Sequence, residues 1–374
     1  MGQAFDICIR GAGVVGRAAA LLLARAGLRV ALVAPPASSG QADVRAYALN
    51  AASRSLLESV RAWPEAQHAT AVQQMQIWSD TGGAVAFDAV AERVPALAWV
   101  VDVPALEQRL QDAIGFQPLV EMVAQPVPAP LTMVCEGRAS RTRAEWGVEF
   151  DLVPYAQDAI ATRLDCERPH GAVARQWFGA DGSILAFLPL GGDDGNSVAV
   201  VWSVAHGQSQ HWLQADGVEL AGALREASRG ALGALAVIAP RAAWLLVQAR
   251  ARRWCGTVAG APGQAWVLAG DAAHAVHPLA GQGLNLGLAD VAALVRVLSQ
   301  REGWRALADQ RLLRRYERAR KTEVATAMLA MDGLQQLFTR GDAALQPLRR
   351  HGMNVFDRLV PLKGWVSRHA MGVA

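Results

Sequence analysis

The chain has 374 residues, 52% hydrophobic and 18% charged, enough for two folded regions or one large α/β unit with an insertion. That composition excludes a disordered or fibrous protein. Lys+Arg total 36 against 33 Asp+Glu, so the formal net charge of +3 is no nucleic-acid footprint, and no nucleic-acid partner is expected.

Lys321 and Lys363 are the only lysines, so a Schiff-base or P-loop lysine has almost nowhere to sit. The four cysteines, Cys8, Cys135, Cys166 and Cys255, are scattered with no C-x-x-C pair, which argues against a disulfide framework or a zinc site. Asp6 and a strand-like run stand where a secretory leader would carry a basic head and an apolar segment. The apolar stretch from Ala18 to Ala24, bounded by Arg17 and Arg25, is too short to span a bilayer. A cytoplasmic protein is expected.

The first 35 residues predict strand, helix, strand. Ile7-Cys8-Ile9 is followed by Gly11-Ala12-Gly13-Val14-Val15-Gly16, an apolar helix to about Gly27, and a β-rich run from Leu28 to Val33. From Gln73 to Phe87 the pattern is strand-like around Thr81-Gly82-Gly83, and Asp102 to Ala113 is helical with Leu106 and Leu110 on one face. Gln125 to Pro130 holds three prolines in six residues and reads as a connector. Between Val148 and Val204, β-branched and aromatic residues alternate with turns at Asp181-Gly182 and Asp193 to Asn196, an antiparallel meander. A buried strand, Trp266 to Ala269, precedes a glycine-rich stretch, then helix to the C-terminus with interruptions near Gly333, Gly341 and Pro347. The order predicts an α/β fold: a nucleotide-binding unit with an antiparallel sheet domain inserted between its halves.

Gly11, Gly13 and Gly16 lie between a strand and a helix in a βαβ unit of about 30 residues. In such a unit the first glycine makes the tight turn, the second lets backbone approach a pyrophosphate, and the third permits close helix–strand packing. The phosphates then meet free N–H groups at the positive end of the helix dipole. An acid that would accept ribose hydroxyls at the end of the second strand is missing: the place reads Val33-Ala34-Pro35-Pro36, and Asp43 lies too far along. One such lost hydrogen bond costs roughly 1.5–3 kcal/mol, about ten- to a hundred-fold in affinity.

A second motif follows the late strand. Gly270-Asp271-Ala272-Ala273-His274 leads to Pro278-Leu279-Ala280-Gly281-Gln282-Gly283-Leu284-Asn285, which opens a new helix. An Asp at a strand end suits a ribitol hydroxyl. A glycine-rich helix start aims N–H groups at whatever charge sits beyond it, and the N1–C2=O edge of a reduced, anionic flavin would be a natural partner.

On these residues, with His277 to Asp290, the chain resembles the ubiquinone-biosynthesis hydroxylases among the class A FAD-dependent aromatic monooxygenases. The resemblance extends to Arg45 to Leu49, the segment whose arginine approaches the cofactor, and to Glu136 to Arg143, similar to the family's Asp-Gly motif. It extends further to Ala174-x-Gln176-x-Phe178 through Leu188-Pro189-Leu190, and to Leu348-Arg349-Arg350 through Pro361-Leu362-Lys363. It implies a p-hydroxybenzoate hydroxylase-like fold: an FAD-binding domain of residues 1–72, 97–145 and 245–320, a substrate-binding sheet domain of 73–96 and 146–244, and a C-terminal helical region of 321–374. Four departures stand out: Ala34, Glu136 for aspartate, Val103-Pro104 where relatives often place Arg or Asn, and a short segment between Phe116 and Glu136. Three fall around the adenosine half of FAD, so weakened or unusual FAD retention is expected.

By the same resemblance, FAD is implied as a tightly bound cofactor whose hold those departures would loosen, NADH or NADPH as a transient co-substrate, and O2 as adding to the reduced flavin to give a C4a-hydroperoxide. The distal oxygen passes to a lipophilic phenol or quinone precursor. Cofactor contacts fall to Gly11, Ala12, Gly13, Val15, Gly16, Arg45, Asp271, Pro278, Gly281, Gln282, Gly283, Leu284 and Asn285. Glu136, Gly137, Ser140 and Arg143 are placed against NAD(P)H or FAD. Pro278 and His277 are the candidates for the flavin face; no catalytic base is assigned. His274 and His277 lack a third metal-spaced ligand, so no metal is expected.

Arg296 to Lys321 holds nine basic residues against three acidic, and residues 345–374 add more among apolar ones. This suits a peripheral contact with anionic lipid at the inner membrane, or simply a solvated helix face. Other ubiquinone-biosynthesis proteins are implied partners. Two alternatives remain: another flavin oxidoreductase on the same scaffold, and a non-catalytic or weakly FAD-binding paralogue supporting a biosynthetic complex. A halogenase-type lysine in the substrate region is absent, as both lysines follow the 270–290 block.

Overall fold

The computed structural model describes residues 4–34, 43–79, 83–191, 194–276 and 282–339. β1 (Ile7–Arg10) passes through Gly11 into α1 (Val14–Arg25) and returns as β2 (Val30–Val33), parallel to β1 with Arg10 opposite Val33. β3 (Ala46–Leu49) and α2 (Ala51–Ser59) follow, then β4 (Ala69–Val72), the hairpin β5 (Gln74–Ser79) and β6 (Ala84–Asp88), and β7 (Ala98–Asp102). α3 (Val103–Gly115) starts with proline in its first turn, where a missing N–H costs nothing. β8 (Val120–Val123), β9 (Leu131–Val134) and the short α4 (Arg141–Glu145) complete the first part.

The middle of the chain is β-rich: β10 (Phe150–Cys166), β11 (Val173–Phe178), β12 (Ile184–Pro189) and β13 (Ser197–Ala205). Two helices, α5 (Gln208–Gln214) and α6 (Gly217–Ala227), separate these from β14 (Leu235–Val237) and β15 (Ala242–Ala251). The last part holds β16 (Cys255–Thr257), β17 (Ala265–Leu268), β18 (His274–Ala275), α7 (Gln282–Ser299) and α8 (Gln310–Thr339).

A six-stranded sheet has the order β16-β17-β9-β1-β2-β8, with β16 antiparallel and the other five parallel. Ile7, Ile9, Val30, Leu32, Leu131 and Val267 are fully buried, as expected for parallel strands covered on both faces. Arg10 is opposite both Val33 and Val134, and Val134 is opposite Leu268, so the carboxyl ends of four neighbouring strands lie level. Ligands of open α/β sheets bind beyond that edge. Gly11, Ala34, Cys135 and Ala269 are the first residues past it.

A nine-stranded sheet runs β18-β15-β10-β13-β12-β11-β5-β6, with β14 beside β10. Its residues alternate by face, as the period of two requires. Trp177, Leu185, Phe187 and Trp202 pack against Leu220 and Leu224 of α6. The opposite face looks toward a three-stranded sheet, β3-β7-β4, which the sequence reading did not separate. β15 runs across the expected boundary at 244/245, and α8 across that at 320/321.

One sequence expectation is corrected. The helix does not break near Gly333, because α8 continues through it to Thr339; an isolated glycine costs a helix only about 1 kcal/mol. Gly341, Pro347 and the C-terminal signature lie outside the described residues.

Arg163 of β10 ties the large sheet to the first part of the chain: its guanidinium pairs with Asp102 at the end of β7, and its Nε donates to the Val44 carbonyl at 3.3 Å. Both side chains are about one-fifth exposed, at 21% and 19%, so solvent screens the pair only in part. Arg163→Met should therefore lower stability by about 1–2 kcal/mol. The urea midpoint measures this, and an unchanged midpoint would show the tie to be energetically neutral.

Candidate cofactor site and adjoining cavity

The glycine turn after β1 divides into residues that the protein needs and one that it does not. Gly11 has φ +108°, and a Cβ there would stand 2.5 Å from the Cys135 carbonyl oxygen. A Cβ on Gly16 would lie 1.9 Å from the Gly11 oxygen. Around Gly13 a Cβ would meet nothing within 4 Å. Gly13 is exposed, has ordinary φ −75°, and caps α1 without a side-chain hydrogen bond. Internal packing explains Gly11 and Gly16. Close approach of a ligand to the open amides of α1 explains Gly13, and the turn fits a pyrophosphate.

Ala12 and Val15 sit within the same turn, half-buried. Val15 touches two further glycines, since a Cβ on Gly270 would be 3.3 Å, and one on Gly287 2.9 Å, from its Cγ2. The start of α1, the turn after β17 and the first turns of α7 are thus pressed together by missing side chains. Gly283, at the start of α7, faces open space, as does Gly137.

Asp290 organises the late motif. Its fully buried carboxylate accepts from the Gly270 amide at 2.9 Å, His274 Nε2 at 2.7 Å and Arg320 Nε at 2.7 Å. Burial pushes this carboxyl up, but His274 and Arg320 outweigh it and hold it below the ordinary range. His274, 1% exposed and stacked 5.0 Å from Trp254, is committed to this ion pair. Asn285 staples α7 to α2: its Oδ1 accepts from the Asn50 amide (2.9 Å) and Ser53 hydroxyl (2.7 Å), and its Nδ2 donates to Ala48 O (2.8 Å). The spacing of 30 residues between Asp290 and Arg320 carried no local signal.

Asp271 is exposed, in the turn that follows β17. Loss of surrounding water raises its carboxyl pKa, against the pull of His274, Arg138 and Arg45. Arg45 pairs with Asp43 at 2.5 Å and donates to the Tyr47 hydroxyl at 3.3 Å. Burial raises the Tyr47 phenol, with Arg45 opposing and Asp271 reinforcing the rise. Asp271, Arg45 and Tyr47 therefore converge, and Tyr47 is a site residue that its segment's arginine overshadowed.

Glu136 is held internally. Its carboxylate accepts from Ser140 Oγ (2.7 Å), Thr142 Oγ1 (2.6 Å) and the Thr142 amide (3.0 Å), and these bonds overcome burial to keep its pKa low. Ser140 caps α4 through the Arg143 amide, and Arg143, 7% exposed, donates to the carbonyls of Ala272 and Arg138. These residues brace the turn that carries Asp271. Gln282, Gly283 and Leu284 lie half-buried in the first turn of α7. His277, Pro278 and Gly281 lie outside the described residues.

Beyond Arg45 and Tyr47 lies a cleft of about 1040 Å³ between β3 and the large sheet. Seven alanines line it, among them Ala161, Ala174, Ala186 and Ala199 of the sheet floor, with Val201, Leu188 and Trp244. Small side chains on one face of a broad sheet leave an apolar hollow suited to a lipophilic guest. No described lining residue is a carboxylate or an imidazole.

Gly13→Ala should leave the apoprotein within about 0.5 kcal/mol of wild-type stability yet weaken FAD binding by about tenfold or more, whereas Gly16→Ala should cost about 3 kcal/mol or more. Thermal unfolding and flavin-fluorescence titration separate the two. Asp290→Asn should cost about 3–5 kcal/mol, as it strands the buried Arg320 guanidinium. Because the folded pKa of Asp290 is depressed, its contribution is complete above the unfolded-state value near 4 and fades as pH falls through the folded one. The variant's stability should accordingly fall less steeply below about pH 4, as acid titration followed by circular dichroism would show.

Two family models match the chain: an FAD binding domain over residues 121–331, and the NAD binding domain of 3-hydroxyacyl-CoA dehydrogenase over residues 6–98. The second covers the βαβ glycine turn that nucleotide-binding units share. The 3-demethoxyubiquinol 3-hydroxylase of Escherichia coli K12 is 30% identical over 99% of this chain and 99% of its own length. The ubiquinone hydroxylase UbiL of Rhodospirillum rubrum is 29% identical, over 98% of this chain and 89% of its own. Among solved structures, p-nitrophenol 4-monooxygenase PnpA of Pseudomonas putida DLL-E4 shares the fold with a TM-score of 0.74 at 18% identity, covering 98% of this chain and 97% of that one. With the FAD-domain match spanning more than half of it, the chain belongs to the ubiquinone-biosynthesis hydroxylases, a family of FAD-dependent aromatic monooxygenases that use NAD(P)H and O2.

Proposed function

We propose that this enzyme hydroxylates the ring of a lipophilic phenol, a ubiquinone precursor of the kind its relatives' names describe. The observation that carries the reading is the convergence of two nucleotide-type motifs at one sheet edge, opening through Arg45, Tyr47 and Asp271 onto an alanine-floored apolar cleft. When bound, FAD supplies the redox centre that takes reducing equivalents from NAD(P)H and delivers one atom of O2.

The roles of the chain's own residues follow from their placement. Gly13 and the first amides of α1 would receive the pyrophosphate, and Asp271 the ribitol. The α7 amides from Gln282 onward would face the pyrimidine edge of the ring system. The apolar cleft would exclude water, protecting a reactive oxygen donor from wasteful breakdown. Lacking a carboxylate or imidazole, its described lining offers the Tyr47 hydroxyl, bonded to Arg45, as the group able to pass a proton near the entrance.

A peripheral contact with anionic lipid belongs to the same reading. Arg296, Arg311, Arg314, Arg315 and Arg318 are exposed on α7 and α8, and Trp304 is 76% exposed beside them. Among the described residues no helix is long and apolar enough to cross a membrane. Such a contact supports delivery of a bilayer-resident substrate.

The purified protein should take up FAD in about a one-to-one ratio, and a short-chain alkylphenol should stimulate NAD(P)H oxidation and gain one oxygen atom from labelled O2. A colourless protein that ignores added FAD would favour the scaffold alternative. In a deletion strain, the quinone intermediate that accumulates identifies the ring position.

A further inference from the structure

Strand register arranges the cleft floor in rows. Gln176 on β11 stands opposite Ala186 on β12, Ala186 opposite Val201 on β13, and Val201 opposite Ala161 on β10. The next row toward the strand start of β11 is Ala174, Leu188 and Ala199. Gln176 is thus a half-buried amide rising from a field of alanine and aliphatic side chains.

The other polar side chains of the lining are committed or peripheral. Arg45 is paired with Asp43 and shares the Tyr47 hydroxyl. Arg175 donates to the carbonyls of His170 (2.9 Å) and Val173 (3.3 Å). Ser203 is 3% exposed, one row and two strands from Gln176, about 12 Å away between Cα atoms by ordinary sheet spacings. The Gln176 amide makes no hydrogen bond to any described residue. An amide without a protein partner in an open apolar hollow is free to exchange water for a guest's polar group, and a guest that cannot answer it leaves it unpaired once water is excluded.

Resting on the hydroxylase reading, we propose that Gln176 is a specificity-determining residue: its amide binds the ring oxygen of the substrate and so fixes which ring carbon is turned toward the oxidant. A site built to hydrogen-bond an oxygen discriminates sharply against an analogue that cannot answer, since the amide is then left unpaired. The floor alanines provide area without direction, so orientation falls to the few polar groups of the described lining, and Gln176 is the one side-chain amide among them.

The test uses FAD-loaded enzyme without NAD(P)H, reading binding by perturbation of the flavin spectrum. The probes are 4-pentylphenol and its methyl ether, 4-pentylanisole. Wild type should prefer the phenol, and Gln176→Met, which keeps volume and length, should weaken phenol binding about three- to tenfold while leaving the ether unchanged. An unaltered flavin spectrum of the variant without probe reports an intact fold. Equal weakening of both probes would overturn the proposal by reducing Gln176 to a shaping role. Loss of the preference in Ser203→Ala but not in Gln176→Met would overturn it in favour of Ser203. If neither probe binds loaded wild type, the hydroxylase reading falls and this proposal with it.

Discussion

The contact on which this architecture turns is one between a valine side chain and two residues that have none. Val15 on α1 reaches Gly270 and Gly287 at distances that any Cβ would close. Three segments, the first more than 250 residues of chain from the other two, can therefore meet around one point. Both helix starts lie around that space, and the protein gathers positive potential at the sheet edge without placing a lysine there.

Holding those segments in place requires a counterweight, and the buried Asp290 provides it. One carboxylate binds the Gly270 amide, the His274 ring and the Arg320 guanidinium at once. Removing the Arg320 guanidinium and the carboxylate from water is expensive, and the three hydrogen bonds that the carboxylate accepts offset it. Tyr316, whose hydroxyl donates to the Leu268 carbonyl at 2.8 Å, adds a second tie from α8 to the end of β17. The C-terminal helix thus acts as a brace for the cofactor turn, even though none of its described residues reaches the cleft.

The sequence was most legible where backbone geometry dictates residue type. Gly11, Gly13 and Gly16 announced the turn, and the 270–290 block announced both its loop and its helix, because few residues satisfy those conformations. It was least legible where contacts are distant. The strands Ala46–Leu49 and Ala98–Asp102 pair across some fifty residues, and Asp290 meets Arg320 from the next helix. The alanines of the cleft floor carry no signal singly; only registered strands show that they share a face. Glu136 drew notice only as a replacement for aspartate, and the three hydrogen bonds by which it supports α4 had no signal of their own. Gly333 read as a break, and the helix simply passes through it.

β18 deserves a final thought. This two-residue strand follows the Asp271 turn directly, yet it hydrogen-bonds to β15 as the outermost member of the nine-stranded sheet, His274 opposite Arg250. The strands of the cleft floor and the turn that carries Asp271 are accordingly joined through one hydrogen-bonded sheet. Were a guest to flex that sheet, the strain would reach the turn, and any such coupling would act equally in both directions.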